Sequence, residues 1–113
     1  MANKGNPLPR LAAALVKVTE RQFYATVDDT LRAYYWEFDH VIDTYPHAKR
    51  TSKGYPDYIC FRMGRIVFLE IKSEGAKLSP EQEYWRDLLK MFDQVEWYLI
   101  RPSDYEKLRG ILQ

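Results

Sequence analysis

The sequence predicts a single α/β domain. Three observations carry this: two segments with apolar residues at helical spacing, each opened by a capping tetrad; two strand-like runs joined by Met63-Gly64; and a further strand-like run followed by a short final helix. The order along the chain reads αβββαβα, with no internal repeat. A length of 113 residues suits one domain. Hydrophobic residues at 46% against 29% charged give the balance of a globular chain, not of a disordered or fibrous one.

Residues 1–18 are read as an N-terminal tail. Met1 to Pro7 is polar and rich in Gly and Pro, and Leu11, Ala12, Leu15 and Val16 have the spacing of a short amphipathic helix. Residues 19–113 form the domain proper. Thr19-Glu20-Arg21-Gln22 reads as a capping box opening a helix that runs to about Tyr35, with Phe23, Val27, Leu31 and Tyr34 as its buried stripe. Glu20, on the first turn of that stripe, leans toward the interior.

Trp36 to Asp43 has strand character, and Thr44 to Tyr55 reads as a locally basic loop. Tyr58 to Arg62 and Arg65 to Lys72 form an antiparallel hairpin across Met63-Gly64. Ser79 is the N-cap of the next helix, with Pro80 at its first position and Tyr84, Trp85, Leu88, Leu89 and Phe92 as its buried face, ending near Phe92. Val95 to Ile100 is the last strand, and Ser103-Asp104-Tyr105-Glu106 opens a final helix carrying Leu108, Ile111 and Leu112.

Composition excludes several classes. No apolar stretch approaches the roughly 18 residues of a membrane span, and Leu11 to Val16 lacks a signal-peptide pattern, so a cytoplasmic location is expected. The single Cys60 has no disulfide partner and reads as a buried strand residue. His40 and His47 share no zinc spacing with Cys60, and there is neither a Gly-rich phosphate loop nor a locally supported Ser-His-Asp set. A net charge of +1 gives no general attraction for polyanions, so nucleic-acid binding would rest on local charge.

In the hairpin's second strand, alternation sends Val67, Leu69 and Ile71 to one face and Phe68, Glu70 and Lys72 to the other. Asp57 opens the partner strand, and antiparallel pairing brings its carboxylate toward Glu70. Two adjacent carboxylates repel unless a cation lies between them, and oxygen ligands suit Mg²⁺ or Mn²⁺. A lysine two residues along the strand is placed to orient an attacking water or to neutralise charge developing on a phosphate. The set favours phosphodiester hydrolysis.

Gly54-Tyr55-Pro56-Asp57-Tyr58, then Phe68-Leu69-Glu70-Ile71-Lys72-Ser73, then Leu78-Ser79-Pro80-Glu81-Gln82 resembles the VRR-NUC branch of the PD-(D/E)xK nuclease superfamily, over roughly residues 19 to 109. The resemblance implies a restriction-endonuclease-like fold, a central mixed sheet flanked by helices. It also implies a Mg²⁺-dependent endonuclease acting on branched DNA, of the kind the short members of the branch share with Holliday-junction resolvases. By the same resemblance Asp57 and Glu70 would hold the metal with the Ile71 carbonyl, Lys72 would act on the water, and Glu20 and Gln82 would complete the site. Where the branch's name refers to Val-Arg-Arg, this chain has Leu99-Ile100-Arg101.

Taken singly, these signals have bland readings. Pro-Asp is common at turns, Glu-x-Lys often marks a solvated face, a capping box asks for Gln82 and the helix dipole favours Glu20. Their conjunction, in order and on the right elements, is the specific signal. Lys49, Arg50 and Lys53, with His47 beside them, form the densest basic segment and are read as a DNA contact. The alternatives are a catalytically silent DNA-binding or assembly module and a sequence-specific restriction-type nuclease, for which the chain has no spare recognition segment. A homodimer is expected because symmetric cutting of a junction takes two sites, with Leu11, Leu15, Val16, Tyr35 and Trp36 as candidate contacts.

Overall fold

The computed structural model describes residues 18–41 and 52–113. The expected helix at residues 11–16, most of the basic loop, and with it His47, Lys49 and Arg50, lie outside the described residues. Those described form a small mixed α/β domain: α1 (Glu20–Ala33), β1 (Glu37–His40), β2 (Tyr58–Arg62), β3 (Arg65–Ile71), α2 (Pro80–Leu89), β4 (Val95–Ile100), a 3-10 turn (Pro102–Asp104) and α3 (Tyr105–Leu112). None of these helices is long and apolar enough to cross a membrane.

Both expected capping boxes form. The Gln22 N–H donates to Thr19 Oγ1 at 3.1 Å while the Thr19 N–H donates to Gln22 Oε1 at 2.9 Å, and Ser79 and Gln82 repeat the exchange at 3.1 and 2.8 Å. The sheet order is β1-β2-β3-β4. The pairs β1/β2 and β2/β3 are antiparallel, and β3/β4 is parallel, joined by α2 as the crossover.

β3 lies inside the sheet and is covered on both sides. Val67, Leu69 and Ile71 join Phe23, Val27 and Leu31 of α1 and Leu108 and Leu112 of α3 in one core, together with Tyr58 and Cys60. Phe68 faces the other way, into a second core with Trp97 and Leu89, against which Trp85, Tyr55 and Leu99 pack. The alternation expected along this strand is therefore met, with Cys60 fully buried.

Four boundaries differ from expectation. α1 ends at Ala33, because Tyr34 caps it and Tyr35 turns into the left-handed region at φ 64°. β1 is only Glu37–His40, and Trp36 belongs to the core, where its indole N–H donates to the Leu112 carbonyl at 2.9 Å. Trp36 is thus unavailable as a dimer contact, whereas Tyr35 is 89% exposed. α2 stops at Leu89, and Tyr84 and Phe92 are exposed, because the second sheet face is covered by the Trp85 and Leu89 side of the helix. The last helix begins at Tyr105 after a 3-10 turn, because the Asp104 carboxylate accepts from the Arg101 N–H at 2.9 Å and displaces the Ser103 capping box.

Candidate active site

The ladder between β2 and β3 pairs Tyr58 with Leu69. One step further along the same register, Asp57 and Glu70 oppose each other at the end of the sheet. The hairpin turn at Met63-Gly64 sets that register, so the two carboxylates meet because of residues at the far end of the hairpin.

The segment delivering Asp57 is locked from three sides. Gly54 has φ +85°, and a Cβ there would lie 2.4 Å from the Glu81 carbonyl carbon and 2.7 Å from the Gln82 nitrogen. Only glycine tolerates both the left-handed conformation and that approach to the first turn of α2. Tyr55 sets its ring edge-on to Phe68 and Trp85, with centroids 6.0 and 5.0 Å away, and Pro56 is fully buried. Asp57 then accepts from the Ile71 N–H through Oδ2 at 2.7 Å, and the Tyr24 hydroxyl lies 3.5 Å from Oδ1. Its own carbonyl accepts from the Val41 N–H at 2.7 Å.

Glu70 is 2% exposed. Gln82 Nε2 donates to its Oε2 at 3.3 Å, and Oε1 is buried without a partner. Burial, reinforced by the neighbouring Asp57 charge and opposed by Lys72, pushes the Glu70 carboxyl up to about 9. Lys72 continues the strand direction, its N–H bonded to the Ile100 carbonyl at 3.1 Å. Its largely buried ammonium lies 3.9 Å from Glu20 Oε1. Gln82 serves two purposes at once, since its Oε1 closes the capping box while its Nε2 supports Glu70.

Asp57, Glu70, Lys72, Glu20 and Gln82 therefore gather at one end of the sheet. Ile71 contributes its N–H to Asp57, and its side chain lies in the main core. Lys53 is set apart: it is highly exposed, 3.9 Å from Glu81, on the rim of a groove of about 460 Å³ that Pro80, Tyr84, Trp85 and Leu88 also line. None of Glu20, Asp57, Glu70 or Lys72 lines that groove. Arg101 acts on backbone, donating to the Ser73 carbonyl at 2.7 Å and so holding the chain just after Lys72.

Sequence reasoning missed Tyr24. It follows Glu20 by one helical turn, and that spacing was the available signal. Burial and the charges of Asp57, Glu20 and Glu70 raise its hydroxyl well above the ordinary tyrosine range, so it stays protonated and able to donate a hydrogen bond.

Two neighbouring carboxylates, one of them buried with an unsatisfied oxygen, are the oxygen donors that suit a hard divalent cation. Among the described residues no group of three His, Cys, Asp or Glu side chains is arranged to hold a metal. Comparison with family models, with curated proteins and with solved structures finds no match to this chain.

Proposed function

We propose that the acidic end of the sheet is the active centre of a metal-dependent DNA endonuclease of the PD-(D/E)xK kind, selective for branched DNA such as Holliday junctions. The observation that carries the reading is the opposition of Asp57 and Glu70 with an unpartnered, buried Glu70 oxygen and Lys72 two residues on. Burial beside Asp57 disfavours the ionised form of Glu70 unless a cation lies between the two, and nothing in the packing of the core calls for a carboxyl there.

Asp57 and Glu70 would hold Mg²⁺, with Mn²⁺ as a substitute and the Ile71 carbonyl as a further ligand. When bound, the ion would polarise the phosphodiester and ease ionisation of the attacking water. Asp57 is kept in place by the Ile71 N–H, and Gln82 steadies Glu70. Lys72, balanced by Glu20, brings a positive charge against the phosphate as negative charge grows there and orients the water for attack on phosphorus. Lys53, on the α2 side of the domain, would contact the DNA backbone together with Lys49 and Arg50, which precede it in the sequence.

The test is a panel of labelled linear, flapped and four-way DNA incubated with Mg²⁺, Mn²⁺, Ca²⁺ or EDTA, with wild type beside Asp57→Ala, Glu70→Ala and Lys72→Ala. Cleavage with Mg²⁺ or Mn²⁺, little with Ca²⁺, none with EDTA and none by the variants is the expected pattern. Cleavage in EDTA, or by either carboxylate variant, would remove the metal centre. DNA binding without cleavage under every condition would leave the interaction-module reading in its place.

A further inference from the structure

Outside the set already discussed, the most developed polar cluster is the aromatic one behind Asp57. The Tyr24 ring packs edge-on to His40 at 4.3 Å between centroids and to Tyr58 at 6.3 Å, and His40 stacks on Tyr58 at 4.2 Å. Asp28 anchors the far side: Tyr58 donates its hydroxyl to Asp28, and His40 Nδ1 lies 3.5 Å from the same carboxylate oxygen. The Tyr58 hydroxyl also lies 3.2 Å from the Tyr24 carbonyl, tying this ring to the helix that carries Tyr24. With its ring held on these sides, Tyr24 presents its hydroxyl to Asp57 Oδ1.

Asp57 consequently has a different donor on each oxygen, an N–H on Oδ2 and a phenol on Oδ1, whereas Glu70 has a donor on one oxygen only. Held at both oxygens, the Asp57 carboxylate is restrained from turning about its own axis, and the donor on Oδ1 is the one that comes from outside the sheet.

We propose that Tyr24 is a positioning residue that fixes the Asp57 carboxylate for divalent-ion binding, with His40, Tyr58 and Asp28 as the frame that aims it. This rests on the metal-centre reading above. Outer-shell donors of this kind typically alter metal affinity about 10–100-fold when removed. The separation of 3.5 Å is at the long limit of a hydrogen bond, so the effect is expected near the lower end of that range.

The test is Tyr24→Phe, which keeps the ring against His40 and removes only the hydroxyl. Tyr34→Phe serves as the control, since Tyr34 caps the same helix but its hydroxyl accepts from Arg109 away from the site. Mn²⁺ binding is measured by titration calorimetry on the full chain without DNA, alongside thermal unfolding. Wild type and Tyr34→Phe should bind alike and Tyr24→Phe about 10-fold more weakly at an unchanged unfolding temperature. The Mn²⁺ concentration giving half-maximal DNA cleavage should rise by the same factor. Equal Mn²⁺ affinity of folded Tyr24→Phe and wild type overturns the proposal, as does wild type that binds no Mn²⁺. Wild type that binds Mn²⁺ but cuts no DNA removes the nuclease reading alone, and the affinity comparison still decides the role of Tyr24.

Discussion

Replacing Glu70 by Gln should make the metal-free protein more stable and, on the nuclease reading proposed above, abolish DNA cleavage. The unfolded chain loses the Glu70 proton near the ordinary value of 4.5, but the folded protein, because of burial and the Asp57 charge, keeps it up to about 9. Between those values the folded state binds a proton that the unfolded state does not. Wild-type stability therefore falls as pH rises, by at most about 1.4 kcal/mol per pH unit from this group, and levels off above the folded value. Gln mimics the protonated carboxyl in shape and retains an oxygen to accept from Gln82, so it avoids this loss. At pH 7 the variant should be more stable by roughly 3 kcal/mol at most. Urea unfolding in EDTA at about pH 5, 6, 7 and 8 measures it, since contributions from groups remote from Glu70 cancel between the two proteins. Curves of stability against pH that run parallel would show that Glu70 ionises normally in the fold and would refute the reasoning.

Gly54→Ala should cost about 1–2 kcal/mol for the left-handed backbone and about 1–3 kcal/mol more for the backbone collision with Glu81. Urea midpoints read the loss, and a variant within about 0.5 kcal/mol of wild type would mean that the turn does not press on α2. Light scattering of the purified chain should give twice the chain mass and junction cleavage paired symmetric nicks, because one chain offers one site. A monomer that makes single cuts would end the dimer expectation and leave the nuclease reading intact.

Much of the fold is legible because its signals are local. Two capping boxes fix where α1 and α2 begin, and a two-residue turn fixes the register that sets Asp57 opposite Glu70. The less legible features depend on tertiary competition. The apolar residues of α2 wrap more of the helix than the sheet can cover, so period alone did not reveal that Trp85 and Leu89 turn inward while Tyr84 and Phe92 face solvent. Trp36 looks like a strand residue until the end of α3 supplies a carbonyl for its indole. Ser103 loses its cap because Asp104 finds the Arg101 N–H first. The DNA contacts assigned to Lys49 and Arg50 lie outside the described residues, and Lys53 turns to Glu81.

The strongest pointer to function is the one place where β3 breaks its own pattern. From Val67 to Ile71 every residue is buried, and all but Glu70 are apolar. A strand selected for stability alone would carry an apolar residue there, since a buried carboxyl with an unsatisfied oxygen is destabilising. The surroundings meet this penalty only in part. Gln82 supports one oxygen only, burial and Asp57 hold the carboxyl in its neutral form, and Lys72 is shared with Glu20. At the same time Gly54, Pro56 and the Ile71 N–H spend their geometry on holding Asp57 beside that oxygen. On the reading proposed above, a cation bound between the two carboxylates would account for an arrangement that sets a costly carboxyl beside a braced one, and Lys72, two residues along the strand, would meet the phosphate that such a cation draws in.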